Sequence, residues 1–214
     1  MSADEAATDR LALADWRRRV AALYAEVRAM AATDPIIAHG HWRVVRETLY
    51  RSHPQSPVPS AERASFRAAH FPYDPALRVV ANVEPVPSTE PGVAALALPN
   101  SGSEQLAFER IGTVRIPFAE GERPLSLFWM AGYAGGLFLP FRDATNGTAT
   151  YGAGRYLIDA AKGADPGTDD RGRLILDFDF AYQPSCVFDP RWACPLAPPE
   201  NRLDIAVRAG ERLS

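Results

Sequence analysis

The sequence predicts an α+β fold that is mainly β, in which N-terminal helices precede an antiparallel β-barrel or a strongly bent sheet. In the first third of the chain, apolar residues recur at three- and four-residue steps, which is typical of amphipathic helices. From about residue 71 onward, short apolar runs alternate with turn residues. No helix-length segment separates these runs, so a doubly wound parallel sheet is not expected.

Length and composition bound the domain organisation. The chain has 214 residues, of which 47% are hydrophobic, and it can therefore bury a sizeable core. We expect a helical segment over residues 1–70 that packs on an antiparallel β domain over residues 71–214, the two forming one compact unit.

Three helices are predicted in the first segment. The first covers 9–31, and its apolar stripe consists of Leu13, Trp16, Val20, Leu23, Tyr24, Val27 and Met30. Thr33-Asp34-Pro35 provides a cap and a first-turn proline for a second helix over about 35–51. Three prolines within 52–60 end that helix, and Ser60 is placed to cap a short third helix over 61–69.

The β domain is predicted from short apolar runs separated by turns. The predicted strands are 77–83, 93–98, 105–109, 112–118, 125–130, 136–141, 154–158, 174–180 and 203–208, with a turn at 100–102. Pro140 predicts an edge or terminal position for its strand, because proline has no N–H to donate. Residues 159–173 are polar and predict a long exposed hairpin loop.

Charge and hydropathy argue against several classes of function. The net charge is −3 and the pI about 5.8, whereas a nucleic-acid-binding protein needs a basic stripe. No apolar run is long enough to span a bilayer, and no basic amphipathic helix is present, so we expect no membrane association. The N-terminal residues lack the basic start and apolar core of a secretory signal, which predicts a cytoplasmic protein.

The polar stretch FRDATNGTATYGAGRY, residues 141–156, is the first candidate site. One interpretation is an anion-recognising pocket of Arg142, Thr145, Tyr151 and Arg155, since arginine offers a planar fork to a carboxylate or phosphate. The alternative is a structural corner in which an arginine pairs with Asp143. The G-x-G here has no third glycine and no helix behind it, which disfavours a dinucleotide-binding loop.

The second candidate region covers residues 177–205. Asp177 and Asp179 lie two apart on a predicted strand and would share one face, where they would either line a cavity as an acid/base pair or face solvent. We favour solvent for both. Pro195, Pro198 and Pro199 predict a stiff extended segment, suited to cover a barrel mouth or simply to pack the C-terminal strand.

The chain has two cysteines, Cys186 and Cys194, separated by seven residues. A zinc site is a minority interpretation, because two cysteines need further ligands and the usual knuckle is shorter. A nucleophilic cysteine lacks a visible base. We favour two buried thiols or a conditional disulfide across a proline-stiffened loop.

Three stretches resemble a prokaryotic family known as domain of unknown function 1684. They are FPYDPALR at 71–78, PFRDATNGTATYGAGRYL at 140–157 and LDFDFAYQPSCVFDPRWACPLAPPENRLDIAVRAGE at 176–211. The resemblance covers about two-thirds of the chain and implies no reaction, because the family has none assigned. Asp179, where the family usually has asparagine, departs from its pattern and weakens the acid-pair hypothesis. The polar signature itself favours a site over a mere corner.

Together these observations predict a small-molecule-binding protein with a pocket of arginine, tyrosine and carboxylate side chains. The predicted ligand-binding residues are Arg142, Asp143, Thr145, Arg155 and Asn201, and the predicted proton-transfer residues are Tyr151, Tyr182 and Glu200. An enzyme acting on a small polar or anionic metabolite, a non-catalytic carrier and a structural or partner-binding protein are the alternatives. No cofactor is assigned, since flavin rests on fold-level analogy alone, and a homodimer is left open.

Overall fold

The computed structural model of the chain describes residues 2–87, 96–98, 101, 107–132 and 135–213. The first half of the predicted strand at 93–98, the first part of the predicted strand at 105–109 and two residues of the turn at 100–102 lie outside these residues. No helix in the described ranges has the length and apolar character needed to cross a membrane.

Two long helices open the chain, as predicted. Helix α1, Ala3–Ala31, begins earlier than periodicity indicates, because Ser2 and Glu5 form a capping box that satisfies the first backbone N–H groups. Helix α2, Pro35–Ser52, begins after Asp34, whose carboxylate accepts from two backbone N–H groups.

The predicted third helix, residues 61–69, is wrong. Residues 60–65 form successive turns instead. Arg63 ties them down by donating to the carbonyls of Pro54, Ser56 and Val58, which fixes the chain against the preceding proline-rich segment. The chain then enters a short strand, so no helix can continue.

The rest of the described chain is antiparallel β structure in one large and two small sheets. The strands are β1 Ala69–His70, β2 Arg78–Ala81, β3 Val83–Pro85, β4 Leu96–Ala97, β5 Ala107–Phe118, β6 Gly121–Met130, β7 Leu137–Phe141, β8 Arg155–Asp159, β9 Leu174–Asp177 and β10 Glu211–Arg212. The large sheet has the order β3-β5-β6-β7-β8, and β4 also pairs with β5. Strand β1 pairs with β10, and β2 pairs with β9.

The sheet does not close into a barrel over the described residues, which corrects that alternative of the predicted fold. Strands β3 and β8 are the two ends of the sheet's order. Over the described residues, the pairing beyond β8 consists of two isolated bridges, Tyr156 to Tyr182 and Asp159 to Ala164. The chain turns into a 3-10 helix, Phe178–Phe180, immediately before Tyr182, so an extended ladder cannot form there.

Three further strand predictions need correction. The described part of the run at 105–109 and the run at 112–118 belong to one strand, β5, which is interrupted by a bulge between Arg110 and Gly112. Pro140 lies in β7 between β6 and β8, not at an edge, because the bulge between Leu139 and Pro140 breaks the ladder where proline has no N–H. Residues 203–208 do not form a strand, and the last pairing occurs at β10.

The segment 159–173 is not a freely exposed hairpin loop. It contains a 3-10 helix, Ala160–Lys162, and packs against α1. A Cβ added at Gly163 would lie 2.9 Å from the backbone nitrogen of Ala21, and Arg28 donates to the carbonyl of Asp165 at 2.7 Å. The approach of this segment to α1 helps to shape the cleft described below.

The sheet separates two hydrophobic cores. Neighbouring residues of a strand point to opposite faces, so Phe138 and Leu139 belong to different cores. On one face, Tyr24 of α1 and Trp42 of α2 pack with Phe138. On the other face, Leu139 packs with residues of β2, β5, β6 and β9. The two helices therefore contribute to the core on one face of the sheet.

Candidate functional site

The Arg155 guanidinium is fully buried and surrounded by acceptors from the protein. It forms an ion pair with Asp143 at 2.9 Å and donates to the carbonyls of Val207 at 2.8 Å, Glu211 at 3.2 Å and Ala209. Both residues of the pair have side chains that are 0% exposed. These contacts describe a tether between β8 and residues 207–211.

The turn after β7 is organised around Asp143. Its Oδ1 accepts from the backbone N–H of Thr145 at 2.7 Å and from the Thr145 hydroxyl. Thr145 in turn lies 2.8 Å from the Thr150 hydroxyl, and Asn146 donates to Thr150 at 2.9 Å. Polar side chains that the sequence offers for a ligand are thus hydrogen-bonded to one another.

Arg142 and Asn201 join the C-terminal segment to the sheet. Arg142 donates to the carbonyl of Gly152 at 2.8 Å and pairs through its backbone with Asn201 and Leu203. The Asn201 amide inserts between strands: it donates to the carbonyls of Ser126 and Pro140, and its oxygen accepts from the Ser126 N–H at 2.8 Å. Asn201 therefore replaces ladder contacts that Pro140 interrupts.

The structure does bring the arginine-bearing corner and the C-terminal segment together. However, none of the five predicted ligand-binding residues lines a cavity described here; they are Arg142, Asp143, Thr145, Arg155 and Asn201. Their observed contacts are those of the structural-corner alternative. Their ligand-binding roles stay predictions.

The three predicted proton-transfer residues contact different surroundings. The hydroxyl of Tyr151 lies 3.9 Å from Cys186 Sγ, and Glu200 is exposed in the 3-10 helix Pro199–Asn201. Tyr182 is buried and donates to Asp159 Oδ2 at 3.2 Å. Of these three, Tyr182 contacts a residue that lines a cavity, namely Asp159.

Asp177 and Asp179 do not face solvent, which corrects the interpretation that we favoured. Strand β9 ends at Asp177, whose carboxylate caps the following turn by accepting from the Asp179 N–H. Both side chains are buried. Asp177 pairs with Arg78 at 3.1 Å, and burial raises its pKa. Burial and then the neighbouring Asp177 charge raise the pKa of Asp179 to about 7.

Two adjoining cavities, each of about 120 Å³, lie between α1 and the C-terminal segment. Both are lined by Arg17, Lys162 and Ala193. The walls of the first are largely apolar, with Phe108, Met130, Leu137, Phe138 and Pro195, and it also includes Asp159. The second adds Leu13, Trp16, Gln55, Ser185, Trp192 and Cys194. We call these two cavities together the Arg17 cleft.

The charged residues that line the cleft are the cations Arg17 and Lys162 and the carboxylate Asp159. Lys162 Nζ lies 3.4 Å from Asp159 Oδ2, which also accepts from Tyr182. Burial opposes the charge of Lys162, but the Asp159 carboxylate outweighs it, so the pKa of Lys162 is raised. Arg17 is exposed, and over the described ranges it has no hydrogen-bond or ion-pair partner.

The indole nitrogen of Trp192 adds a donor without a partner. Its Nε1 is buried, and it has no hydrogen-bond partner among the described residues. A buried N–H that is left unpaired costs about 1–3 kcal/mol. Trp192 lines the same cavity as the cations Arg17 and Lys162.

The sequence did not indicate that the charged residues of this cleft, Arg17, Asp159 and Lys162, belong to a site. Arg17 lies on the polar face of a predicted helix, and Asp159 and Lys162 lie in a segment predicted to be an exposed loop. One signal was present, since Lys162 is the single lysine of a chain that otherwise uses arginine. Proximity of residues 17, 162 and 193 could not be inferred from their positions in the chain.

The structure brings Cys186 and Cys194 together as free thiols. No group of three or more histidine, cysteine, aspartate or glutamate side chains suited to hold a metal ion is found in the part of the chain that the structure describes. The zinc-site interpretation stays a prediction without further ligands.

Comparisons with known proteins identify a family but no activity. A family model described as protein of unknown function (DUF1684) matches residues 65–212. An uncharacterised protein from Haloarcula marismortui, solved by solution NMR, is 32% identical and has a TM-score of 0.56. The match covers 80% of this chain and 90% of that chain. No curated protein matches the sequence.

Proposed function

The chain belongs to the DUF1684 family of proteins of unknown function, and from its own side chains we propose that it binds a small carboxylate in the Arg17 cleft. The observation that supports this proposal most directly is that the two cavities share lining residues. There Arg17, without a partner among the described residues, lies beside Lys162 and an apolar wall. A carboxylate with a short apolar body matches both features.

Cavity size limits the ligand. Pockets for drug-sized molecules have volumes of about 300–1,000 Å³, whereas each cavity here is about 120 Å³. A short-chain or single-ring carboxylate fits this space better than a nucleotide or a large cofactor. Its apolar part would pack on Phe108, Phe138 and Met130.

Binding, without an assigned reaction, is the function that these contacts support. Tyr182 and Asp159 form a hydrogen-bonded pair at the edge of the cleft, which is compatible with proton transfer in an enzyme. Tyr151 and Glu200 contribute nothing to the cleft. The enzymatic alternative therefore depends on Tyr182 and Asp159, and the carrier alternative needs neither as a catalyst.

The proposal can be tested by NMR titration of the ¹⁵N-labelled protein with hexanoate and, separately, with the uncharged analogue hexanol. We expect hexanoate to shift the amide resonances of cleft residues and to bind more tightly than hexanol. Arg17→Gln should weaken hexanoate binding roughly 3- to 10-fold, since it removes one exposed cation.

Arg18→Gln is the matched control, because Arg18 is an equally exposed neighbour on α1 that does not line the cleft. It should leave hexanoate binding unchanged. Equal binding of hexanol and hexanoate, or equal effects of the two arginine substitutions, would refute the carboxylate proposal.

A further inference from the structure

The two cysteine side chains lie next to each other, and no disulfide joins them. Cys186 is in the 3-10 helix Ser185–Val187, and its backbone N–H donates to the sulfur of Cys194 at 3.4 Å. A disulfide requires the two cysteines to be close neighbours in space. The contact of the Cys194 sulfur with the Cys186 backbone N–H shows that they are.

Ser101 holds the second cysteine in place. Its hydroxyl accepts from the Cys194 N–H at 2.9 Å and donates to the carbonyl of Trp192 at 2.9 Å. Its backbone N–H donates to the carbonyl of Cys194 at 3.0 Å. The segment that carries Cys194 is thus fixed by three hydrogen bonds and keeps its sulfur beside Cys186.

The two thiols have different surroundings. Cys186 is partly exposed, and hydrogen bonds from Cys194, Ser101 and Tyr151 outweigh its burial and lower its pKa to about 6. Cys194 is buried, and its hydrogen bond to Cys186 together with burial raises its pKa. The Cys186 thiol is therefore suited to react as a thiolate, whereas the Cys194 thiol stays protonated at neutral pH.

We propose that Cys186 and Cys194 form a hydroperoxide-reactive dithiol site, with Cys186 as the thiol that is oxidised first and Cys194 as the thiol that resolves it. Cys186 thiolate attacks the terminal peroxide oxygen; the S–O bond forms, the O–O bond breaks, and the leaving oxygen takes a proton as water or alcohol. Cys194 then attacks the sulfenic sulfur; the S–S bond forms, the S–O bond breaks, and hydroxide leaves with the Cys194 proton as water.

Access supports this assignment of roles. Cys194 lines the Arg17 cleft, so a small molecule can reach the pair from the cavity as well as from the partly exposed side of Cys186. The chemistry differs from carboxylate binding and does not depend on it. The loop between the cysteines is anchored by Phe188, whose ring packs against Tyr50 and Phe66.

Peptide mapping of the whole protein tests the proposal. Trypsin cleavage after arginine puts the two cysteines in separate peptides, 174–191 and 192–202. After one equivalent of hydrogen peroxide, we expect these peptides to be joined by a disulfide that dithiothreitol reverses. In Cys194→Ser, Cys186 should instead be trapped as a sulfenic acid adduct by dimedone.

Cys186→Ser should slow peroxide consumption by about tenfold or more, because the remaining buried thiol is a poor nucleophile. A pH series of brief iodoacetamide labelling of the wild-type protein gives a readout independent of the variants, with half-maximal labelling of Cys186 expected near pH 6. Two thiols that stay reduced in peroxide, or oxidation that begins at Cys194 in Cys186→Ser at the wild-type rate, would overturn the proposal.

Discussion

At the scale of single residues, Arg155 shows how a polar family signature can serve the fold. A buried cation is costly unless nearby acceptors compensate it, and here Asp143 and three carbonyl groups do so. Arg155 could bind a ligand only by leaving these acceptors unpaired. The contacts of Arg155 thus explain the arginine and the aspartate of this turn without requiring a bound anion.

The Asp143–Arg155 pair leads to a stability prediction. Asp143→Asn keeps the shape of the side chain but leaves the Arg155 charge buried without its partner. We expect a loss of about 3–5 kcal/mol in the free energy of unfolding, measured by urea denaturation. Glu200→Gln, at an exposed position, is the control and should change stability by less than about 0.5 kcal/mol. A loss below 1 kcal/mol for Asp143→Asn would show that the pair is not structural.

Asp179 leads to a prediction about pH. Its pKa is raised from 3.8 to about 7 by burial and by Asp177, so between about pH 4 and 7 the folded protein holds a proton that the unfolded chain has released. Its contribution to the free energy of unfolding must therefore fall as pH rises through this range. Asp179→Asn lacks this proton and keeps one acceptor for the Asp74 N–H.

Urea denaturation at pH 4.5 and 7.5 measures this effect. The stability of the wild-type protein minus that of Asp179→Asn should be smaller at pH 7.5 than at pH 4.5. His39, whose pKa burial lowers to about 4, acts with the opposite sign, but it is present in both proteins and largely cancels in the difference. A difference that is independent of pH would contradict the raised pKa of Asp179.

The sequence was informative about residue types but not about their partners. It identified Arg142, Asp143 and Arg155 as a group and correctly offered an internal Arg–Asp pair as one alternative. The choice between ligand and protein acceptors depends on the carbonyls of residues 207–211, which carry no signal in their side-chain types. The burial of Asp179 was missed for a related reason, because an alternating strand pattern continued past the point where the Asp177 cap ends β9.

At the scale of elements, the turn between β7 and β8 requires glycine at position 154. Gly154 has a φ of +103°, and a Cβ there would collide with the carbonyl oxygen of Phe141. Both backbone strain and steric overlap therefore exclude a side chain. Gly152, two residues earlier, has open space around it and no such φ.

These two glycines make a matched test of the turn. Gly154→Ala should destabilise the protein by about 2 kcal/mol or more, because the backbone of β7 must shift to relieve the overlap. Gly152→Ala should change the free energy of unfolding by less than about 1 kcal/mol in either direction. Thermal unfolding followed by circular dichroism compares them, and equal effects would mean that the close approach at Gly154 is not required.

Among the elements, the helices were the most predictable, and the short pairings were the least. Helical periodicity and the Asp34 cap indicate α1 and α2 directly, since both signals lie within the element itself. Strand β1 and strand β10 are two residues each, and they exist because residues far apart in the chain are held side by side. The third helix was wrong because local propensity over 61–69 lost to the contacts of Arg63.

At the scale of the whole molecule, a buried ion pair joins helix α2 to strand β10. Arg46 of α2 binds Glu211 of β10 at 2.6 Å, and both are buried. Glu211 also accepts from the backbone N–H of Gln183 at 2.8 Å. The Arg46 guanidinium lies 4.3 Å from the centre of the Tyr182 ring. Residues from the two predicted segments, 1–70 and 71–214, are thus in direct contact in the interior of the protein.

Calorimetry should therefore show cooperative unfolding. We expect one heat-absorption peak for the wild-type protein, and Glu211→Gln should lower its midpoint as a whole, by roughly 6–12 °C for a loss of about 3 kcal/mol. Glu200→Gln again serves as a control with an unchanged midpoint. Two peaks, of which Glu211→Gln shifts only one, would show that the helices and the sheet unfold independently.

The location of the cleft could not be predicted from the sequence. Its lining comes from α1, the sheet and residues 193–195, which are brought together only by the packing of the helices on the sheet. The polar residues of the turn at 141–156 directed attention to that part of the chain instead. The sequence thus indicated the elements but not the arrangement that brings Arg17, Lys162 and Ala193 together.

The tether at Arg155 also has a consequence for biosynthesis. The carbonyls that receive its guanidinium lie 52 to 56 residues further along the chain. A ribosome therefore releases this cation well before its acceptors, and until they arrive the nascent strand must keep Arg155 hydrated. Strand β8 can enter the interior only after residues 207–211 have been synthesised, so its apolar neighbours stay exposed to chaperones until then.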